Sequence, residues 1–145
     1  MTEESRLASF PPPVGSRLPP LHQRLTQARI DAYAEASGDH NPIHLDADFA
    51  RAVGLPSTIA HGLLTLGVAT AQVELWAAGS AWAARVSCRF SSPLPSGQLV
   101  SGQAHCTSVE GSEASIELEA ENEAGERVLT RSVVTLRTAP GPASD

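Results

Sequence analysis

Asp39 and His44, a carboxylate and an imidazole, stand five positions apart in Tyr33-Ala34-Glu35-Ala36-Ser37-Gly38-Asp39-His40-Asn41-Pro42-Ile43-His44. Gly38 and Pro42 suit a tight turn, and the residues on either side read as helices. An acid/base pair on a turn between rigid elements is what proton-transfer chemistry needs. A second imidazole step, His61-Gly62, opens the most apolar helical stretch of the chain.

The elements that must hold these residues follow from period and punctuation. Leu21 to Leu25 alternates as a short strand does. Thr26 can cap a helix running through Ser37, with Ile30, Tyr33 and Ala34 at helical spacing and Gly38 placed to end it. Asp46 can cap a short helix from Ala47 to Val53, closed by Gly54. Leu55 to Ala60 contains Pro56 and reads as a loop. Gly62 to Trp76 is apolar nearly all the way round, which predicts a buried helix rather than a surface one. From Trp82 onward the period becomes two. Trp82, Ala84, Val86, Cys88 and Phe90 alternate with polar or small residues; so do Val100 to Cys106 and Ala114 to Glu121. Val128 to Arg137 is a last strand, apolar on both faces. Turns are expected at Pro93–Gly97, Glu110–Ser112 and Asn122–Gly125. One long apolar helix ahead of an antiparallel sheet with one buried face indicates an α+β domain in which the sheet wraps the helix.

Composition sets the limits. A chain of 145 residues with 41% apolar content supports a single core. A Pro-rich arm, residues 1–18, and a tail, residues 139–145, are expected to be flexible around a domain at 19–138. The net charge of -6 argues against nucleic-acid and anionic-membrane partners. All 10 basic residues are arginine, so lysine Schiff-base chemistry and a Walker-type phosphate loop are excluded. No charged-then-apolar signal opens the chain, which points to the cytoplasm. The apolar run at Gly62–Val73 is too short to span a bilayer. Cys88 and Cys106 read as small buried thiols, bridged only if their strands are neighbours. His40, His44, His61, Asp46 and Asp48 match no standard zinc spacing, so no metal is expected. Arg85 and Arg89 are most simply solvated charges, with a phosphate of a substrate carrier as the other reading.

The layout and the Ser37-Gly38-Asp39-His40-Asn41-Pro42-Ile43-His44 core, with Tyr33 before it and Ala50 after it, resemble the MaoC-like (hydratase 2) family of hot-dog proteins. Ala60-His61-Gly62-Leu63-Leu64 looks like that family's His-Gly entry into the central helix. Arg89-Phe90-Ser91-Ser92-Pro93-Leu94-Pro95-Ser96-Gly97 looks like its sheet turn. The resemblance covers about Leu18 to Arg137. It implies a single hot dog that pairs into a dimer, with sheets joined edge to edge and active sites near the subunit interface. It also implies an R-specific hydro-lyase, acting reversibly between trans-2-enoyl and (R)-3-hydroxyacyl thioesters in fatty-acid metabolism.

Such a reaction needs a base for water, a proton for C2 and a stabiliser for charge on the thioester oxygen. Asp39 and His44 are the catalytic candidates, since together they can hold one water. Gly62, Asn41 and His61 are the candidates for binding the substrate and serving its oxyanion. Gly62 starts a helix whose first N–H groups are free, and it lets a carbonyl oxygen approach. Asn41 more naturally fixes the turn, and His61 more naturally ties the loop to the helix. No cofactor is expected beyond coenzyme A or an acyl-carrier protein as the substrate's carrier. The alternatives are the catalytic subunit of a heterodimeric acyl-carrier-protein dehydratase, a non-catalytic acyl-thioester-binding module and, more weakly, a thioesterase.

Overall fold

Residues 6–7 and 9–139 are described by the computed structural model. The chain begins its regular structure with β1 (Leu21–Arg24), followed by helices α1 (Gln27–Ser37), α2 (Pro42–Leu45), α3 (Ala47–Ala52) and α4 (Gly62–Ala77). Four longer strands follow: β2 (Trp82–Phe90), β3 (Leu99–Glu110), β4 (Glu113–Glu121) and β5 (Arg127–Arg137). They form one five-stranded sheet in the order β1-β3-β4-β5-β2, and every pairing is antiparallel. This is the α+β layout expected from the change of period.

Local chemistry explains the boundaries. The Thr26 hydroxyl accepts from Arg29 N and starts α1, while Gly38 ends it at φ 77, a left-handed conformation that costs glycine little. Asp46 accepts from the backbone N–H of both Asp48 and Phe49 to start α3. α2 was not expected, because a helix of four residues is too short to show a period. Its signal lies in its cap: the Asn41 side chain accepts from Ile43 N, and Pro42 follows in the first turn.

The core lies between α4 and one face of the sheet. Ala69, Val73 and Trp76 from the helix meet Val100, Ile116, Leu118, Leu129, Val134 and Leu136 from the strands. Leu21, Leu25 and Ile30 extend it beneath α1. β5 sits between β4 and β2, so both of its edges are paired, and Val128, Leu129, Val134 and Leu136 on it are buried.

One expectation is corrected. α4 is apolar all round, yet within this chain only the stripe Thr65, Ala69, Val73, Trp76 and Ala77 is buried. Leu63 and Leu75 remain about three-fifths exposed, at 62% and 59%. A single sheet covers one side of a helix and leaves the other open. Trp76 is a core residue, whereas Trp82 on the edge strand is largely uncovered.

The described part of the Pro-rich arm lies along the domain. Gly15 N bonds to Cys106 O and Leu18 N to Ala104 O, both on β3, and Leu7 N reaches Trp76 O at the end of α4. The expected tail lies outside the described residues from 140 onward. Cys88 on β2 and Cys106 on β3 are free. Their strands are separated by β4 and β5, so no bridge can form, and burial pushes both thiols up.

Gly102 marks the tightest place in the sheet. It pairs with Leu21 on one side and Ala120 on the other, and a Cβ there would stand 2.5 Å from the Glu119 carbonyl oxygen. Gly102→Ala should therefore destabilise the fold by about 1–3 kcal/mol, as overpacking does. Urea denaturation measures this as a lower midpoint; an unchanged midpoint would mean that the ladder relaxes without cost.

Candidate active site

Asp39 lies in the short link after α1, and a local network fixes it. Its own N–H donates to Ser37 Oγ (3.2 Å), and its Oδ1 accepts from Asn41 N (3.2 Å). The second carboxylate oxygen, Oδ2, faces His44 Nε2 at 3.9 Å. That separation is too long for a direct hydrogen bond and suits a single bridging water. The Asp39 side chain is about half exposed, and that of His44 is nearly covered.

His44 is set by its other ring nitrogen. Nδ1 lies 2.7 Å from the carbonyl oxygen of Ile59. A carbonyl only accepts, so Nδ1 carries the proton, and in the neutral ring Nε2 presents its lone pair to Asp39. The Ile59 carbonyl is itself fixed. Ile59 N bonds to Ile43 O (3.2 Å), Ala60 N to Leu94 O (2.8 Å) and Ser96 N to Thr58 O (2.8 Å). The Pro93–Gly97 turn thus clamps the loop that orients His44, and Asn122 Nδ2 holds that turn in place through Pro93 O (3.2 Å).

His61 is almost fully buried, at 2% exposure. Its Nε2 lies 3.0 Å from the main-chain oxygen of Asp39, and its ring stacks on that of His44 with centroids 3.8 Å apart. Tyr33 leans against His61 at 4.7 Å. His61 Nδ1 is buried without a partner, a defect that costs about 1–3 kcal/mol in a folded protein.

Gly62 begins α4. His61 precedes it as the N-cap residue but offers no side-chain hydrogen bond to the helix, so the first N–H groups keep no side-chain acceptor. The Phe90 ring covers this point: a Cβ on Gly62 would stand 3.0 Å from its edge. His44, Gly62, Thr65, Phe90, Leu94 and Leu129 line a cavity of about 240 Å³ that is mostly apolar beyond the imidazole. A larger hollow, about 530 Å³, lies by β1, β3 and β4; it is polar and contains none of these residues.

The structure therefore brings Asp39, His44, His61 and Gly62 together, and Asn41 stands beside them as the cap of α2. His40 points elsewhere, to Glu35, whose carboxylate raises the His40 pKa with help from the Gly38 backbone. Asp46 caps α3, and Asp48 pairs with Arg51. Asp39, His44 and His61 each offer one ligand atom, all within 4.8 Å of one another. The two rings, however, stack with only 29° between their planes, so their lone pairs run side by side instead of converging on one ion.

Gln27 was not singled out in the sequence. Its side chain donates to the His44 main-chain oxygen (2.8 Å) and accepts from Thr58 Oγ1 (2.7 Å). It joins α1, α2 and the His44-orienting loop. Residues 17 and 31 positions away supply those partners, and no local pattern announces them.

A curled antiparallel sheet around one helix, with a carboxylate and an imidazole facing each other at that helix's start, defines a protein of the hot-dog fold. The chain belongs to the MaoC-like domain family, whose sequence model matches residues 10–128. It is similar to 3-hydroxyacyl-thioester dehydratase X of Mycobacterium tuberculosis, with 41% identity over 86 residues, which is 58% of this chain and 30% of that protein. The chain thus spans under a third of that relative's length. Two solved structures have the same fold. One is a chain of the ChsH1-ChsH2 complex from Mycobacterium tuberculosis, with TM-score 0.79, 25% identity, and 87% of this chain and 98% of that one covered. The other is the (R)-hydratase from A. caviae involved in PHA biosynthesis, with TM-score 0.82, 22% identity, and 90% and 100% covered.

Gln27→Ala leaves the Thr58 hydroxyl and the His44 carbonyl without their partner. A loss of about 1–3 kcal/mol is expected, measurable by chemical denaturation. Stability equal to the parent's would show that water replaces the amide.

Proposed function

We propose that this chain is an R-specific hydro-lyase of acyl thioesters, adding water to trans-2-enoyl thioesters or removing it from (R)-3-hydroxyacyl thioesters. The observation that carries this reading is the facing of His44 Nε2 and Asp39 Oδ2 across 3.9 Å, with His44 lining an apolar cavity. Family membership and the names of the relatives support the substrate class.

In this mechanism, one water sits between Asp39 and His44. As its oxygen bonds to C3, the pair takes one of its protons, and a proton from the pair reaches C2. Charge moves from the double bond toward the thioester oxygen, which the free N–H groups at Gly62 and the positive end of α4 stabilise. The acyl chain lies in the cavity beside Thr65, Leu94 and Leu129. Asn41 holds the turn and His61 the loop; neither reacts. Water and thioester suffice for this chemistry, and the reading includes no metal or other cofactor. Coenzyme A or an acyl-carrier protein carries the acyl group.

We also propose that the working form is a dimer. Leu63 and Leu75 on α4, with Trp82 and Phe90 on β2, leave exposed an apolar surface of the kind that marks a contact site. β2 is in addition an edge strand with one unpaired side. A second copy of the chain covers both features at once. A related hot-dog chain would do the same, and the similarity to one chain of the ChsH1-ChsH2 complex favours keeping that arrangement as the second reading.

Loss of the enoyl absorbance on incubation with trans-2-enoyl-CoA, with an R-3-hydroxy product by chiral analysis, tests the activity. A folded protein that leaves the substrate unchanged in both coenzyme A and carrier-protein forms would remove this reading and leave a binding module. Asp39→Asn and His44→Ala should each lower kcat by about 10²–10⁴-fold, the usual worth of a positioned acid or base. Near-parental turnover in either would remove it from the catalytic pair. Gly62→Val pushes against Phe90 and displaces the oxyanion donors, so a loss of about a hundredfold is expected; full turnover would place the donors elsewhere. In sizing experiments the 15.1 kDa chain should run as a dimer, and an active monomer would contradict the proposed assembly.

A further inference from the structure

We propose that His61 is a positioning residue that sets Asp39 and His44 relative to each other with a single ring. This rests on reading that pair as the water-activating groups. His61 Nε2 lies 3.0 Å from the Asp39 main-chain oxygen. The carbonyl can only accept, so the proton is on Nε2. The same ring stacks on His44, with centroids 3.8 Å apart and 29° between the planes. One contact holds the backbone that carries the carboxylate, and the other holds the imidazole opposite it. A shift of His61 therefore changes the 3.9 Å gap between Asp39 Oδ2 and His44 Nε2 from both sides.

The unpartnered Nδ1 separates this role from plain packing. His61 is 2% exposed, and its Nδ1 has no donor to accept from. A buried polar atom left unsatisfied destabilises the fold. Phenylalanine in this place would keep a ring on His44 and remove the unsatisfied nitrogen, while its larger ring must be accommodated. It would lack the Nε2–H that holds Asp39. Glutamine would keep a donor and lose the ring. Among these three residues, only histidine serves both contacts, and it does so at the cost of an unsatisfied nitrogen.

His61→Phe and His61→Gln form the test, with kcat, KM and melting temperature measured for each. The Phe variant should melt near the parent's temperature, because the removed defect offsets the lost Asp39 contact and the larger ring, and keep KM, while kcat falls by about ten- to a hundredfold, as expected for misplaced reacting groups. In a His44→Ala background the same change should cost less than about twofold, because groups that act as a unit are non-additive. A purely structural role would lower melting temperature and kcat together, and parental kcat in the Phe variant would overturn the proposal. Ring-nitrogen NMR gives a readout independent of turnover. His61 should show the Nε2–H tautomer in the parent, and the His44 ring signals should stay sharp there and in the Phe variant but broaden in the Gln variant. A His61 Nδ1–H tautomer, or unchanged His44 signals in the Gln variant, would overturn the proposal. If the parent turns over no enoyl thioester, the functional reading fails and the NMR result still decides the placement.

Discussion

The 2.7 Å contact between His44 Nδ1 and the Ile59 carbonyl is the constraint on which the site depends. An imidazole on a four-residue helix has little to hold it, since so short a helix is not stable alone. The carbonyl accepts and cannot donate, so one contact fixes both the ring's direction and the nitrogen that faces Asp39. The rest of the structure makes that carbonyl immobile. The Ile59 N–H is bound to α2, and the residues on either side are bound to the Pro93–Gly97 turn. That turn is tied to the β4–β5 connection by Asn122. The sheet sets the imidazole through this chain of hydrogen bonds, with Gln27 closing the circuit from α1.

α4 serves the site differently. Its buried stripe anchors it to the sheet, which places the helix start beside His44. Small residues let the helix come close: Ala69 and Ala77 are fully buried, and Gly62 meets the edge of the Phe90 ring. The open side of α4 and the free edge of β2 are the two places where the apolar pattern exceeds what one chain can cover. Both lie near Phe90, so on the proposed reading the surface that completes the assembly also borders the cavity. This explains why a helix that reads as buried from its sequence is only half buried here.

Local signals made most of the fold legible. Thr26, Gly38 and Asp46 mark helix ends because capping is a matter of neighbours, and the alternation in β2, β3 and β4 records one buried face. α2 escaped notice because four residues show no period. The apolar circumference of α4 overstates its burial, because sequence records apolarity and not what covers it. Asp39, His44, His61 and Gly62 were named from the sequence, and the fold brings them together. What could not be read was the geometry among them. The stack of His61 on His44 and the Gln27–Thr58 bond join residues 17 and 31 positions apart, through a loop whose path is set by the sheet.

Two imidazoles beside a carboxylate also raise the question of what occupies the space between them. His44 spends Nδ1 on Ile59, and His61 spends Nε2 on Asp39. The nitrogens that remain belong to rings lying nearly parallel, 3.8 Å apart. A metal ion needs lone pairs that meet at a point about 2.0–2.1 Å from each nitrogen, whereas lone pairs in stacked planes do not meet. A water molecule makes a weaker demand. It needs only two acceptors for its two protons, and Asp39 Oδ2 and the unprotonated His44 Nε2 stand 3.9 Å apart. The stacking that spoils a metal site is thus compatible with a water site. The same three residue types can therefore serve acid/base chemistry here, because the ring planes, and not the residue types alone, decide what they can hold.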